Sequence, residues 1–318
     1  MATTRVSLLL VVAVAVLTAA CGSTAEPSAQ DAVDGAVRAA SRASTVRFHV
    51  GATFTARLDE ARLQGPTPLP AARLRAIAAR PLRIVLTGAR SRDAMTATGV
   101  VEVAGATHAY ALRSVGGRLY LRLTGGWRVL PFTLGSLFRS ESFGGLVPEE
   151  LCAEHGGEGC ARVSLERALA AGRFGRLVTG ELTAGPELAG TSTWKVSGRL
   201  DAGQLARLRT GASPGPADTR SLEPYQQHGQ VSVVVERRGG LPRRVFFSYV
   251  LPPAALAQHL RGEAATTPVV ERSATIEVEL DHWNEPLVVT PPHGATAADG
   301  AMLVPLFDGL FLSLMTFV

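Results

Sequence analysis

The stretch Thr45 to Asp59, TVRFHVGATFTARLD, alternates apolar and polar residues without a slip. Val46, Phe48, Val50, Ala52, Phe54, Ala56 and Leu58 share one phase. Arg47, His49, Thr53, Thr55, Arg57 and Asp59 take the other, with Gly51 among them. Period-two alternation is the pattern of a β-strand with one dry and one wet face. At about 3.3 Å per residue this strand would run roughly 40 Å, far beyond the usual five or six residues. So long an apolar face needs a large cover, and what supplies it is the question the remaining sequence has to answer.

The chain has 318 residues, enough for one large domain or two small ones. Apolar residues make up 46% and aromatics only 6%, which suits a core of Val, Leu and Ala. The net charge of +5 is spread thinly, and no basic run is interleaved with aromatics. Nucleic acid is therefore not an expected partner.

The N-terminus carries an address. One basic residue, Arg5, precedes an uncharged apolar run from Val6 to Leu17, and the small residues Ala19 and Ala20 come just before Cys21. That is a secretory signal over 1–20, too short in its apolar run to span a bilayer. LTAAC resembles the bacterial lipobox, with Thr18 where leucine is commonest. The resemblance implies a diacylglyceryl thioether on Cys21, a tether over 21–27, and anchorage on the extracytoplasmic face of the cell membrane. The alternative is an ordinary secreted protein with a free Cys21.

Cys152 and Cys160 remain, in CAEHGGEGC. An even pair in an oxidising compartment, closing a short Gly-rich loop, reads as a disulfide. A metal site using Glu154, His155 and Glu158 is the competing reading. With one histidine nearby and thiolates exposed to oxidation, it is the weaker of the two.

Along the chain, Ser28 starts a helix to about Ala43, with Val33, Ala36, Val37 and Ala40 on one face. After the long strand comes a Pro-rich loop with the short helix AARLRAIAA. LRIVLTGAR, AMTATGVVEVAG, HAYALRSV and RLYLRL follow as strands. SVGGRLY predicts a hairpin, because Gly116 and Gly117 tolerate the positive φ of a two-residue turn. TGGWRVLP closes this region. SLERALAAGRFGRLV predicts a helix, and strands resume at TSTWKVSGRL. Asp201 and Gln204 form a capping-box pattern for AGQLARL. TGASPGPADTRSLEPYQQHG reads as a surface loop. QVSVVVERRG, LPRRVFFSYV and SATIEVELDHW are strands, with a short helix near PAALAQHLRG. Eight to ten mostly antiparallel strands and a few helices make an α+β fold.

The order of these parts resembles a known family. A lipobox, one amphipathic helix, a long first strand, GGRLYLRLTGGW, TWKVSGRLD, GLPRRVFFSY and VELDHWNEPLVVTPP occur in succession. Together they are similar to the LppX/LprG-type lipoproteins of actinobacteria, which are related in fold to the LolA/LolB carriers. The resemblance covers roughly residues 28 to 292. It implies a curved antiparallel half-barrel, unclosed and wrapped over helices, as a single domain over 28–300. An apolar cavity for acyl chains would lie between sheet and helices. It also implies a role in moving or presenting lipids or lipidated ligands across the envelope, with an export partner that the sequence does not name. The in-phase apolar set that would line such a cavity is Phe48, Val50, Phe54, Ile84, Leu86, Val101, Leu121, Val233, Val245 and Phe247. The plainer reading makes these ordinary core residues under tightly packed helices. Trp127, Trp194 and Trp283 are either amphipathic groups at a cavity mouth or packed side chains with one satisfied N–H. The chain departs from the family in its Leu63 to Arg80 insert, its cysteine loop and its apolar tail.

Catalytic patterns are weak. GASPG, Gly211 to Gly215, fits G-x-S-x-G, but a nucleophile elbow needs a strand before it and a helix after it. Ser213 sits instead in a Pro-rich stretch. There is no H-E-x-x-H, P-loop or G-x-G-x-x-G. Asp281 and His282 are adjacent strand residues, which point to opposite faces. The expectation is a non-enzymatic protein without cofactor or metal. The tail from Ala301 to Val318 holds Pro305, Asp308 and Gly309, making it a poor membrane span; docking on the domain is expected, against shallow membrane insertion or a disordered sticky end. A lipid-binding lipoprotein is the leading reading, a structural or protein-interaction lipoprotein the runner-up, and a hydrolase using Ser213 the third.

Overall fold

The computed structural model describes residues 26–64, 70–91, 93–123, 125–130, 178–203, 216–259 and 268–298. The alternating stretch forms β1, Thr45–Leu58, at the centre of the sheet. On one side the chain meanders outward through β2 (Leu82–Ser91), β3 (Met95–Val103), β4 (Ala106–Val115), β5 (Arg118–Arg122) and β6 (Arg128–Val129). It then starts again at the far edge with β7 (Val178–Ala184). From there it returns through β8 (Thr193–Leu200), β9 (Gly229–Glu236), β10 (Pro242–Leu251) and β11 (Val269–Asp281) to pair with β1. A two-residue β12, Thr296–Ala297, lies parallel to β6. The order is β12-β6-β5-β4-β3-β2-β1-β11-β10-β9-β8-β7, antiparallel except at β12, and the sheet does not close.

Short turns set the register of the hairpins. Gly116 and Gly117 take φ of 59° and 73° between Val115 and Arg118, the two-residue turn expected from their sequence. Ala104–Gly105 and Ala189–Gly190 use the same pair of positive φ angles. The two alanines are less obvious choices, and sequence alone does not single them out.

Among the described residues, the helices of seven residues or more sit on the dry face. Helix α1, Ala29–Arg42, is capped by Ser28, whose hydroxyl accepts from the Asp31 N–H at 3.1 Å while Asp31 accepts from the Ser28 N–H. Its Ala32, Val33 and Ala36 press on Val178, Val196, Val231, Val233 and Val235. Helix α2, Ala71–Ala78, inserts Leu74 and Ile77 near the end of β1. Helices α3, Pro216–His228, and α4, Pro253–His259, pack over β8 to β11. Around α2, α3 and α4 a second cluster holds Phe54, Leu82, Val101, Tyr249, Leu251, Leu256 and Ala274. A third, smaller cluster of Leu119, Leu121 and Leu130 lies near the β6 edge.

Two expectations are corrected. The segment 210–229, expected as a loop, contains α3. Pro216 opens that helix, where its missing N–H breaks no bond. Pro224 lies inside the helix, which normally disfavours it. Here Pro224 is fully buried, and Tyr225 meets Tyr249 edge to face at 5.0 Å, so tertiary packing overrides the local preference. The strand count rises to twelve because β7 and β12 are edge strands. β7 contains Gly180 and exposes Thr179 and Glu181, which blunts its sequence signal. The signal 1–20, Cys21, the Cys152–Cys160 loop, the helix expected in SLERALAAGRFGRLV, Ser213 and the tail 301–318 lie outside the described residues. Of the helix expected after Asp201, only Ala202 and Gly203 are described, and both are helical.

Two strand glycines separate packing from propensity. A Cβ on Gly88 would sit 2.8 Å from Phe48 Cζ and 2.3 Å from the Thr96 carbonyl oxygen, whereas one on Gly51 meets nothing within 4 Å. Gly88→Ala should therefore lower stability by about 1–3 kcal/mol, and Gly51→Ala should leave it unchanged or raise it by about 0.5 kcal/mol. Urea unfolding of the two variants checks the contrast.

Candidate functional site

The pairing register carries all ten sequence-picked apolar residues to one face of the sheet. Leu86, Val50, Val278, Val245 and Val233 form one row across β2, β1, β11, β10 and β9. The next row holds Val101, Ile84, Ala52, Ile276 and Phe247. On the other side of the first, Leu121, Leu112, Ala97, Gly88, Phe48 and Leu280 are aligned. Phe54 lies between Leu82 and Ala274, one row beyond Ala52.

These residues do not share one fate. Phe54, Val101, Leu121 and Val233 are buried within the clusters, and Ile84, Val245 and Phe247 pack partly against them. Phe48, Val50 and Leu86 are only half-buried and belong to none of the three. Val278 and Leu280 of β11 are in the same condition and complete a patch of five neighbours. The alternation of SATIEVELDHW placed Val278 and Leu280 on one face. Their membership of the patch depends on β11 pairing with β1, a contact more than 200 residues distant in sequence. The Phe48 ring leans over Gly88, and the Tyr110 ring covers Gly99, where a Cβ would lie 2.6 Å from the Tyr110 Oη. Aromatic rings laid over strand glycines make this part of the face a low apolar floor.

Polar groups mark both ends of the strip. Arg272 of β11 lies at the α4 end, 5% exposed and on the apolar face, opposite Ala56 and Leu251. Its charge acts on the phenols of Tyr225 and Tyr249. Burial pushes both phenols up, most strongly Tyr249, where the neighbouring Tyr225 adds to the effect and Arg272 opposes it. Sequence reasoning missed this group, because an arginine in an alternating strand reads as solvent-facing. At the other end, Arg38, Arg42 and Asn284 line a depression of about 370 Å³ with Gly35, Ala39, Ala43, Gly239 and Leu241. On the opposite face of the sheet, Val85, Val100, Ala109, Ala111 and Arg122 border a depression of about 410 Å³. Neither depression is lined by any of the ten residues.

Trp283 fits the plainer reading, and the other two tryptophans meet arginines. Trp283 Nε1 donates to the Pro242 carbonyl at 3.2 Å, and Trp194 lies 3.7 Å beneath the Arg237 guanidinium. Trp127 is flanked by Arg113 and Arg122 at 5.1 and 5.2 Å. His282 pairs with Glu285 at 2.7 Å and His49 with Thr87 at 2.8 Å. Among the described residues no group of His, Cys, Asp and Glu could hold a metal, and no helix is long and apolar enough to cross a membrane. No protein-family model and no curated protein matches the chain.

The patch should tolerate truncation better than the packed clusters. Leu251→Ala, at a fully buried position, is expected to cost about 2–5 kcal/mol, and Leu86→Ala, half-buried, less than about 1.5 kcal/mol. Urea midpoints compared at equal m-value read the difference. The raised phenols give a second expectation. Their contribution is complete below the ordinary tyrosine value near 10 and is lost as pH climbs through the higher folded-state values. The fold should thus lose stability above about pH 10, with Tyr249→Phe flattening the loss in melts taken across that range.

Proposed function

We propose that this chain is a membrane-anchored, extracytoplasmic lipoprotein that binds or carries lipid acyl chains, without enzymatic chemistry. In this reading its sheet is a curved, unclosed half-barrel of the LppX/LprG type, attached through a lipid on Cys21. The observation that carries the proposal is the patch of Phe48, Val50, Leu86, Val278 and Leu280. It lies on the helix-bearing face yet outside the packed clusters of the described residues. Such a surface is costly to leave in water. Each methylene withdrawn onto it contributes about 0.8 kcal/mol, so six methylenes contribute on the order of 5 kcal/mol before ordering costs. That is the same gain a methylene finds in a bilayer, so exchange between membrane and protein would be near balance. Recognition of the acyl chain by apolar area is also consistent with the scattered histidines.

Native mass spectrometry of the full chain, released from a non-ionic detergent, tests the proposal. Wild-type protein should retain a non-covalent lipid beyond any modification on Cys21, and Val50→Asp should lose it while melting cooperatively. Protein that carries no lipid under gentle ionisation, and that fails to bind a fluorescent fatty acid, would leave the runner-up interaction module standing instead.

A further inference from the structure

We infer that the depression beside the C-terminus of α1 is a phosphate-binding site, and that the lipid held on the apolar patch carries a phosphate monoester head. The inference rests on the acyl-chain reading above for its lipid part and on separate residues for its phosphate part. Arg38 and Arg42 are one helical turn apart on α1, which puts their Cβ atoms about 5–6 Å from each other. Both are exposed, both line the depression, and neither forms an ion pair with a described residue. The third polar wall is Asn284, the single asparagine of the chain.

Asn284 is fixed in place by its backbone and by one end of its amide. Its N–H donates to the Thr45 carbonyl at 3.0 Å, and its φ is 63°. Its Oδ1 accepts from the Ser44 N–H at 2.8 Å and from the Ser44 hydroxyl. With the oxygen so engaged, Nδ2 is the group left to donate, and the depression has two guanidinium forks and an amide around it. A carboxylate carries a single charge and about four acceptor sites, against two guanidinium charges and an amide. A phosphate monoester offers three terminal oxygens and close to two negative charges, which matches the donor set. Of the acids on α1, Asp31 feels the charge of Arg38 but is held in the Ser28 cap. Asp34, one turn before Arg38, accepts from Gln30 at 3.2 Å through Oδ2, while its Oδ1 is buried without a partner. Glu285 is held by Arg47 and His282.

Position links this site to the patch. Ser44 leads directly into β1, four residues before Phe48, or about 13 Å of extended chain. Asn284 follows Leu280 by the same interval. Phosphate at the depression would thus place an attached acyl chain on Phe48 and Leu280, then on Val50, Leu86 and Val278.

The full chain in a non-ionic detergent can be titrated with fluorescently tail-labelled phosphatidic acid, with diacylglycerol bearing the same chains, and with inorganic phosphate. Phosphatidic acid is expected to bind about tenfold or more tighter than diacylglycerol. The double variant Arg38→Gln, Arg42→Gln should remove that preference and leave diacylglycerol binding unchanged. Equal affinity for the two lipids in wild type, or a preference that survives in the double variant, overturns the assignment. If neither lipid binds, the acyl-chain reading fails. Inorganic phosphate then decides the anion site alone: binding lost in the double variant upholds it, and no binding removes it.

Discussion

Strand β1 is hydrogen-bonded on one flank to β2, its successor in the chain, and on the other to β11, which lies more than 200 residues away. From β2 the chain runs outward through hairpins to β5, and from β11 the sheet continues through β10, β9 and β8 to β7. Because side chains alternate at period two, this double pairing decides which face each row of the sheet presents. A slip of one residue between β1 and β11 would turn Ala274, Ile276 and Val278 to solvent and bring Thr275, Glu277 and Glu279 against Phe54, Ala52 and Val50. The wet face guards against that slip with charge. Between β1 and β11, Arg57 meets Glu271 at 3.2 Å and Thr55 and Ser273 share a hydrogen bond at 2.5 Å, and on the other flank of β11 Arg244 of β10 meets Glu277 and Glu279 at 3.2 and 2.6 Å. Each exposed pair contributes little stability, but like residues placed opposite one another would be penalised.

The consequence of so wide a sheet is uneven cover. Among the described residues, α1 to α4, seven to fourteen residues long, supply the apolar side with lids over β7 to β10 and over the Phe54–Leu251 end. Between the lids, the middle of β2, β1 and β11 keeps five neighbouring apolar side chains half-buried. A globular core normally closes such gaps, because a large side chain left half in water forgoes transfer energy that a neighbour could recover. Such a face, its floor lowered at Gly88 and Gly99, is what the proposed acyl-chain binding draws on.

Much of this architecture is legible in the chain, for specific reasons. The alternation of Thr45 to Asp59, the Gly116–Gly117 turn and the Ser28–Asp31 cap are local patterns, and local patterns carry their own physical cause. The ten apolar residues picked by phase land on a common face because register preserves phase. What fails is what depends on distant partners. Helix α3 is hidden by Pro216, tolerated at the first helical position, and by Pro224, whose tolerance comes from its burial. Arg272 reads as a wet-face arginine until β11 is placed beside β10. Val278 and Leu280 join Phe48 and Val50 only through a pairing that no short window contains. The depression formed by Arg38, Arg42 and Asn284 likewise joins residues more than 240 positions apart.

The central claim is that Phe48, Val50, Leu86, Val278 and Leu280 receive an acyl chain rather than complete a sealed core. Methyl NMR of the full chain with a spin-labelled fatty acid addresses it directly, since paramagnetic broadening falls steeply with distance. Methyl signals of Val50, Leu86, Val278 and Leu280 should broaden at low ratios of probe to protein, while those of Leu82, Leu251 and Val196 stay sharp. Broadening spread evenly over all methyls, or confined to sites away from β1, β2 and β11, would contradict the account.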